Sequence, residues 1–360
     1  MVVPLGASLA FIAPALAKSA RAHSNETRDD LPFSASPFTS SSLRSSRVVV
    51  TCSGTEPGIF SKESDTDCTD SRNQSAPMQV RQVLSYPIKG ARVDPRQSAV
   101  VSGEGLVGDR RFMVVSSKGS HVTQREYPLL ATLEVRTVED GRALMLRAGS
   151  RALNVTVQRS GPLVSCTLFG ERIGLWDQGA SVSKWLGELL LPGGGATNPV
   201  ASLLPPPFAT PAFRLMHAPP EVPRHAGLSD ASPLHLLCEE SLNALNARRG
   251  AEGRAPVPMD RFRPNLVVAG CGQPHAEDAW RSVRIGDRAF FRVSGPCPRC
   301  TVPDVSQQHG RRDPAESGPI QSLRGYRTRA GRGIAFGIYL EPLTTGVTVH
   351  VGDRVERMLA

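Results

Sequence analysis

The stretch that decides the fold is "ATLEVRTVEDGRALMLRAG", residues 131–149. Leu133 and Val135 alternate with Glu134 and Arg136, and after Glu139-Asp140-Gly141 the alternation resumes with Leu144 and Leu146 against Met145 and Arg147. An apolar period of two points one face at a core and the other at water, and Asp-Gly between two such runs marks a hairpin turn. The same rhythm recurs upstream in "MQVRQVLSYPIKGARV" (from Met78) and "DRRFMVVSSKG" (from Asp109). Downstream it continues in "RALNVTVQRSG" and "CTLFGERIGLWDQG", and after a long interval in "NLVVAG", "VRIGDRAFFRV", "AFGIYLEPL" and "VTVHVGDRVERM".

Two segments break the rhythm. "ASVSKWLGELLL" brings Val182, Trp185, Leu186 and Leu189 to one helical face, with Ser181 or Ser183 as cap and "PGGGATNP" as terminator. "SDASPLHLLCEESLNALNARRG" predicts a second helix, with Ser232-Pro233 at its start, Glu239 and Glu240 within it and Gly250 past its end. Residues 203–229 are proline-rich and read as a crossing segment. Strands do not alternate with helices, which excludes a doubly wound parallel sheet. The expected class is mainly β (α+β), with small sheets or barrels and a few packed helices.

Composition agrees with this. Thirty prolines and 33 glycines favour turns, and 40% hydrophobic with 21% charged residues is the balance of a soluble globular protein. At 360 residues the chain is long enough for two domains. Lys+Arg 42 against Asp+Glu 33 leaves +9, a charge that suits an anionic ligand or an acidic partner. The excess is dispersed and lacks interleaved aromatics, so a nucleic-acid interface is not expected.

The first residues have the composition of an address. "MVVPLGASLAFIAPALAKSARA" holds an apolar run too short to span a bilayer, so no transmembrane segment is expected. "SASPFTSSSLRSSRVVVTCSG" is rich in serine and arginine and poor in acids, as transit peptides are. We expect an organelle transit peptide over residues 1–52 and a disordered linker over 53–78. The hydroxyl-rich composition favours chloroplast over mitochondrion, and a bipartite plastid leader is the alternative.

Seven cysteines (52, 68, 166, 238, 271, 297 and 300) form an odd set without the density of a secreted disulfide scaffold. Cys166 and Cys238 lie in apolar runs and read as small buried hydrophobes. The chemistry points to "RVSGPCPRCTVPDVSQQHG", residues 292–310. Three readings of its Cys-x-x-Cys pair stand side by side. A thioredoxin-type dithiol needs the pair to open a helix, but Pro303 follows Cys300 closely and no apolar helical stripe comes after it. A closed zinc site needs two more ligands, for which Cys271 and His275 of "GCGQPH" are available. In the third reading Cys300 alone is an exposed thiolate for a thiophilic metal, with Arg299 supporting its charge and gripping an anion. Lys89, Arg111, Arg261 and Arg263 each sit where a strand begins or ends, so several cations could converge on one phosphate.

"YPIKG", "GDRRFMVV", "TQREYPLLATL", "DASPLHLL", "DRFRPNLVVAG", "AEDAW", "IGD", "PCPRC", "AFGIYL" and "VTVHVGDRV" follow one another as in MOSC-domain proteins. The chain resembles these molybdenum-cofactor proteins, and among them the amidoxime-reducing components, from about residue 79 to residue 358. The resemblance implies an N-terminal MOSC β-barrel domain over 79–200 and a cofactor-binding MOSC domain over 201–358. Molybdenum-cofactor sulfurases share the second module. Their pyridoxal-phosphate desulfurase part is not expected here.

The resemblance also assigns residues. Cys300 is implied as the catalytic thiolate ligating molybdenum beside the pterin dithiolene. Lys89, Arg111, Ser232, Arg263, Asn265 and Arg299 are implied to hold the pterin and its phosphate, with Cys297 structural or auxiliary. Gly90 and Ala231 depart from the serine and threonine common at those positions. The implied activity is an oxidoreductase that removes oxygen from amidoximes, hydroxylamines or N-hydroxy bases. Its electrons are implied to come from a b-type cytochrome and its NADH-dependent flavin reductase. The alternative is a non-catalytic carrier of the cofactor, or a sulfur relay through Cys300.

Overall fold

The computed structural model describes residues 77–191, 212–220, 227–330 and 333–359. The expected transit peptide and almost all of the expected linker fall outside the described residues, as does "PGGGATNP".

The larger of two barrel-like units is a nine-stranded sheet. Its path runs Val355–Leu359, Trp280–Ile285, Ala289–Pro298, Gly333–Pro342, Leu234–Cys238, Leu266–Ala269, Gln79–Ser85, Asp94–Arg96, with Thr328–Arg329 added on Gly333–Pro342. The path returns on itself. Gln79 bridges Arg354, the Val80 amide donates to Asp353 O at 2.9 Å, and the Gly352 amide to Val80 O at 2.8 Å. That seam satisfies backbone groups that an open edge would leave unpaired. Val80, Val83, Leu236, Leu266, Val283, Phe291, Ile338 and Leu340 fill its interior.

All neighbours in this path pair antiparallel except Leu234–Cys238 with Leu266–Ala269, which are parallel. Parallel strands need a crossover, and helix α2 (Glu239–Ala251) supplies it. The helix expected from Ser232 therefore starts later. All five residues of "LHLLC" are buried, and an unbroken apolar run covered on both faces is a central strand. Glu239 and Glu240 occupy the first helical turn, where carboxylates complement the helix dipole, and Gly250 lies inside the helix.

The second unit joins a five-stranded sheet (Val164–Leu168, Glu171–Asp177, Phe213–His217, Phe112–Ser116, Ile88–Lys89) to the three-stranded sheet Glu134–Val138, Ala143–Ala148, Arg151–Thr156. The expected hairpin is present, with Val138 opposite Ala143 and Glu139, Asp140 and Gly141 all at positive φ. Helix α1 (Ala180–Leu190) lays Val182, Trp185, Leu186 and Leu190 on this core. Each such side chain stabilises by about 1.5–3 kcal/mol on burial. Its cap is Gly179, whose amide donates to Asp177 Oδ1 at 2.9 Å, while Ser183 Oγ donates back to Gly179 O. Neither expected serine caps it. The third helix, α3 (Pro319–Arg327), escaped the sequence reading and opens on Gly318-Pro319.

The sheets do not divide at residue 200. Gln79–Ser85, first in the chain, is built into the larger barrel, while Phe213–His217 completes the five-stranded sheet of the other unit. The expected crossing segment thus contains a strand. Alternating residues mark where a strand runs, not which unit supplies its partners. Among the described residues no helix is long and apolar enough to cross a membrane.

A basic cleft around the Cys300 thiol

Strand Ala289–Pro298 carries two register shifts against Gly333–Pro342, the second between Pro296 and Pro298. These irregularities end the ladder at the cysteine pair and turn its two sulfurs to different surroundings. Cys297 is buried, and its Sγ accepts a hydrogen bond from Arg299 Nη1 at 2.9 Å. Cys300 is free and exposed on the wall of a cleft. The pair is followed by the short 3₁₀ turn Val302–Asp304 and not by a helix start, which removes the thioredoxin-type reading. Cys271 lies instead with Cys238 and Glu240, so the zinc set of Cys271, His275 and the pair is not assembled.

The cleft lies between the two units, and cations line it from both. Arg299 is anchored by its backbone amide to Ile334 O at 2.8 Å and by Nη2 to Phe262 O at 2.9 Å. Burial works against its charge, but the Cys297 and Cys300 sulfurs outweigh that and hold the guanidinium pKa above its usual value. Arg263 and Arg110 both lie over the fully buried ring of Tyr86, at 4.2 and 4.6 Å from its centroid. A ring face attracts a cation, so one tyrosine holds two guanidiniums together. Burial brings Arg263 down to about 10. Burial also opposes the charge of Arg110, but Asp109 beside it raises its pKa. Lys89 projects into the cleft, ion-pairs with Asp230 and stands 4.9 Å from the Phe169 ring. Burial lowers its ammonium pKa, against the pull of Asp230.

Of the expected residues, Lys89, Ser232, Arg263, Asn265, Arg299 and Cys300 line this cleft. Arg111 does not. Its guanidinium pairs with Glu104 and donates to the carbonyls of Ala218 (2.9 Å) and Pro219 (2.5 Å). The cleft position goes to Arg110, whose φ of 45° reverses the chain after Gly108 and exchanges the two side chains. Asn265 also differs from expectation. Its amide nitrogen donates to Leu84 O and Asp109 Oδ2, and its oxygen accepts from Arg110 Nη1 and the His235 amide. Both ends of the side chain are thus committed within the protein, where they orient Arg110. Ser232 Oγ donates to Leu340 O at 3.0 Å, so it too serves the scaffold.

Residues 223–356 match the MOSC domain and residues 77–192 the MOSC N-terminal beta barrel domain. "Mitochondrial amidoxime-reducing component 1" of Mus musculus is 32% identical, over 77% of this chain and 81% of that protein. The chain belongs to the MOSC-domain proteins. "Mitochondrial amidoxime-reducing component 1" of Xenopus laevis is 30% identical over 78% of this chain and 82% of that one. "Molybdenum cofactor sulfurase" of Oryza sativa subsp. japonica is 25% identical over 72% of this chain but only 32% of its own length.

The MOSC cleft carries donors suited to an anionic pterin. Arg263 Nη2 and Arg299 Nε are buried without a hydrogen-bond partner, although Arg263 Nη1 and both Arg299 Nη atoms bind the scaffold. A buried donor left over in an otherwise satisfied cation points to a ligand atom or water. Soft sulfur on one side and guanidiniums on the other match a thiophilic metal carried on a phosphorylated organic group. The departure at Gly90 has a structural cause. Its φ is 81°, and a Cβ there would meet Leu130 Cδ2 at 2.8 Å, so a serine would be strained in this backbone.

Sequence reasoning missed Arg110, Tyr86, Asp230 and the pair Gln124–Gln307. These glutamines exchange amide hydrogen bonds at 3.0 Å across 183 residues, next to Arg263. Only Arg110 carried a signal, as the second arginine of "GDRRF" after a glycine turn.

Proposed function

We propose that this chain is a molybdenum-cofactor-dependent reductase of N-hydroxylated compounds such as amidoximes, hydroxylamines and N-hydroxy bases. The observation that carries the reading is one exposed thiol, Cys300, in a cleft where Lys89, Arg110, Arg263 and Arg299 converge. The cofactor, when bound, supplies two-electron cleavage of the N–O bond, with the oxygen leaving as water.

The chain's own residues do the rest. Cys300 would be the sulfur ligand, and the positive charge of Arg299 suits an anionic sulfur there. Lys89, Arg110 and Arg263 would grip the phosphate, with arginine forks giving bidentate contacts. Asn265 and Tyr86 act through Arg110 and Arg263, holding them in place before the ligand arrives. Ser232 shapes the wall of the cleft from its bond to Leu340 O. Electrons would come from a b-type cytochrome served by an NADH-dependent flavin reductase, and the +9 excess of basic charge suits an acidic donor protein. The mitochondrial names of the relatives favour a mitochondrial setting over the plastid that the N-terminal composition suggested.

The test combines metal analysis of the purified protein with an N-hydroxyamidine reduction assay supplied with an artificial electron donor. Stoichiometric molybdenum with turnover supports the reductase. Bound pterin without turnover overturns it in favour of a cofactor carrier, and no pterin at all overturns both.

A further inference from the structure

Away from the cleft, two thiols and a carboxylate meet at the opposite end of the central strands. Cys238 is the last residue of strand Leu234–Cys238 and the N-cap of α2, and Glu240 stands in the first turn of α2. Cys271 follows strand Leu266–Ala269 in the loop "AGCG", between Gly270 and Gly272, which both have φ of 83°. The two sulfurs and a Glu240 carboxylate oxygen lie within 4.8 Å of one another, and no other such group of three occurs among the described residues. None of the three residues lines the cofactor cleft.

Packing alone does not account for this group. Both cysteines are free and buried. Glu240 Oε1 is fixed by the backbone amides of Gly270 (2.8 Å) and Cys271 (2.9 Å), while its Oε2 is buried with no hydrogen-bond partner. A carboxylate grouped with two thiols, held rigidly by one oxygen and unsatisfied at the other, has the form of a ligand oriented by its surroundings. Cys238 read in the sequence as a small core residue, yet it is the residue that makes the cluster bidentate in sulfur.

We propose that Cys238, Cys271 and Glu240 bind one zinc ion, which ties the start of α2 to the loop after strand Leu266–Ala269. The donor set selects the metal. Two thiolates disfavour magnesium and calcium, a carboxylate disfavours copper(I), and a mixed sulfur and oxygen set suits zinc, with water in the fourth position. Binding takes Zn²⁺ and two thiols to a zinc dithiolate and releases two protons into solution. No oxidant is needed. The surplus negative charge faces the N-terminal end of α2, whose dipole favours it, and Arg81 stands 3.9 Å from Glu239 on the same turn. Glu277 is the opposing charge, since its carboxylate accepts from Ser241 Oγ at 2.8 Å and from the Cys238 amide at 3.4 Å.

The test is zinc titration of the purified full-length chain, followed by gel filtration and analysis of zinc and molybdenum in the same sample. One zinc per chain is expected, with none in the Cys238→Ser/Cys271→Ser variant and unchanged molybdenum in both. Zinc should raise the thermal midpoint of the wild type and leave that of the variant unmoved. If the double variant does not fold, Glu240→Gln is read by cobalt(II) substitution. Wild type should then show thiolate-to-cobalt absorption and tetrahedral d–d bands, which the variant weakens. The proposal is overturned if wild type retains no zinc, or if zinc survives in the double variant and disappears in Cys300→Ser. A Cys238–Cys271 disulfide in peptide maps of the unreduced protein overturns it equally. Because molybdenum is measured separately, loss of the zinc reading leaves the reductase reading standing, and the converse holds.

Discussion

Arg299 donates to the sulfur of Cys297 at 2.9 Å and leaves the sulfur of Cys300 free in the cleft. The two cysteines of one Cys-x-x-Cys pair are therefore chemically unequal. Cys297 fixes the guanidinium, and Cys300 is the sulfur a metal can reach.

Cys300→Ala is expected to abolish both molybdenum retention and reduction of an N-hydroxyamidine. Cys297→Ala should keep measurable activity while losing about 1–3 kcal/mol of stability, because it leaves Arg299 Nη1 buried without its acceptor. Urea unfolding and metal analysis of both variants check this. Equal loss of molybdenum from the two would return the pair to a symmetric dithiol or zinc site.

The exchange of Arg110 for Arg111 makes a second prediction. Arg111→Ala breaks contacts to Glu104, Ala218 and Pro219, none of which lines the cleft, and should leave cofactor affinity essentially unchanged. In the proposed cofactor site, Arg110→Ala and Arg263→Ala would each remove a charged contact to phosphate worth about 1.5–3 kcal/mol, a loss of roughly tenfold or more. Reconstitution of cofactor-free protein, followed by titration of released pterin, distinguishes the two cases. A large loss in Arg111→Ala with none in Arg110→Ala would contradict the cleft described here.

Acid should destabilise the fold through buried and half-buried histidines. Burial lowers His217 and His275 to about 4 and His235 to about 3, against 6.5 for the free side chain. Each is neutral in the folded protein, so the unfolded chain takes up protons first as pH falls. The stability they contribute is full above about 6.5 and is lost as pH drops toward 4, at up to about 1.4 kcal/mol per pH unit for each group. His217→Phe keeps the stack on Phe112, and Gln158 O retains the amide of Gln178. Its acid limb in urea unfolding should be shallower by one proton. An unchanged slope would mean that His217 is protonated in the folded state.

The strands were legible in the sequence because an apolar period of two is a local property, and it marked the hairpin at Glu139–Gly141 correctly. Leu234–Cys238 was misread because a strand buried on both faces has no alternation to distinguish it from a buried helical turn. The cleft was legible where a residue lines it directly, as Cys300, Lys89 and Arg263 do. It was not legible where a residue acts through another. Nothing near Tyr86 in the chain announces that Arg110 and Arg263, 153 residues apart, share its ring. Arg110 and Arg111 are neighbours of the same type, and only the sign of one φ angle decides which of them faces the cleft.

That shared ring gives the last prediction. Tyr86 is fully buried, donates through its hydroxyl to Pro264 O at 3.0 Å and lies under both guanidiniums. Its hydroxyl and its ring face do separate work, and two substitutions separate them. Tyr86→Phe removes one hydrogen bond, costs about 1 kcal/mol of stability and keeps the platform, so cofactor affinity should hold. Tyr86→Leu removes the aromatic face and with it an attraction of about 0.5–2 kcal/mol for each cation. Arg110 and Arg263 then repel across an apolar gap, and phosphate affinity should fall several-fold even where thermal melts show the protein folded. Titration with pyrophosphate as a probe of the anion subsite reads this without any turnover. Equal affinity in Tyr86→Leu and the wild type would mean that Asp109, Asn265 and Gln307 position the two arginines unaided.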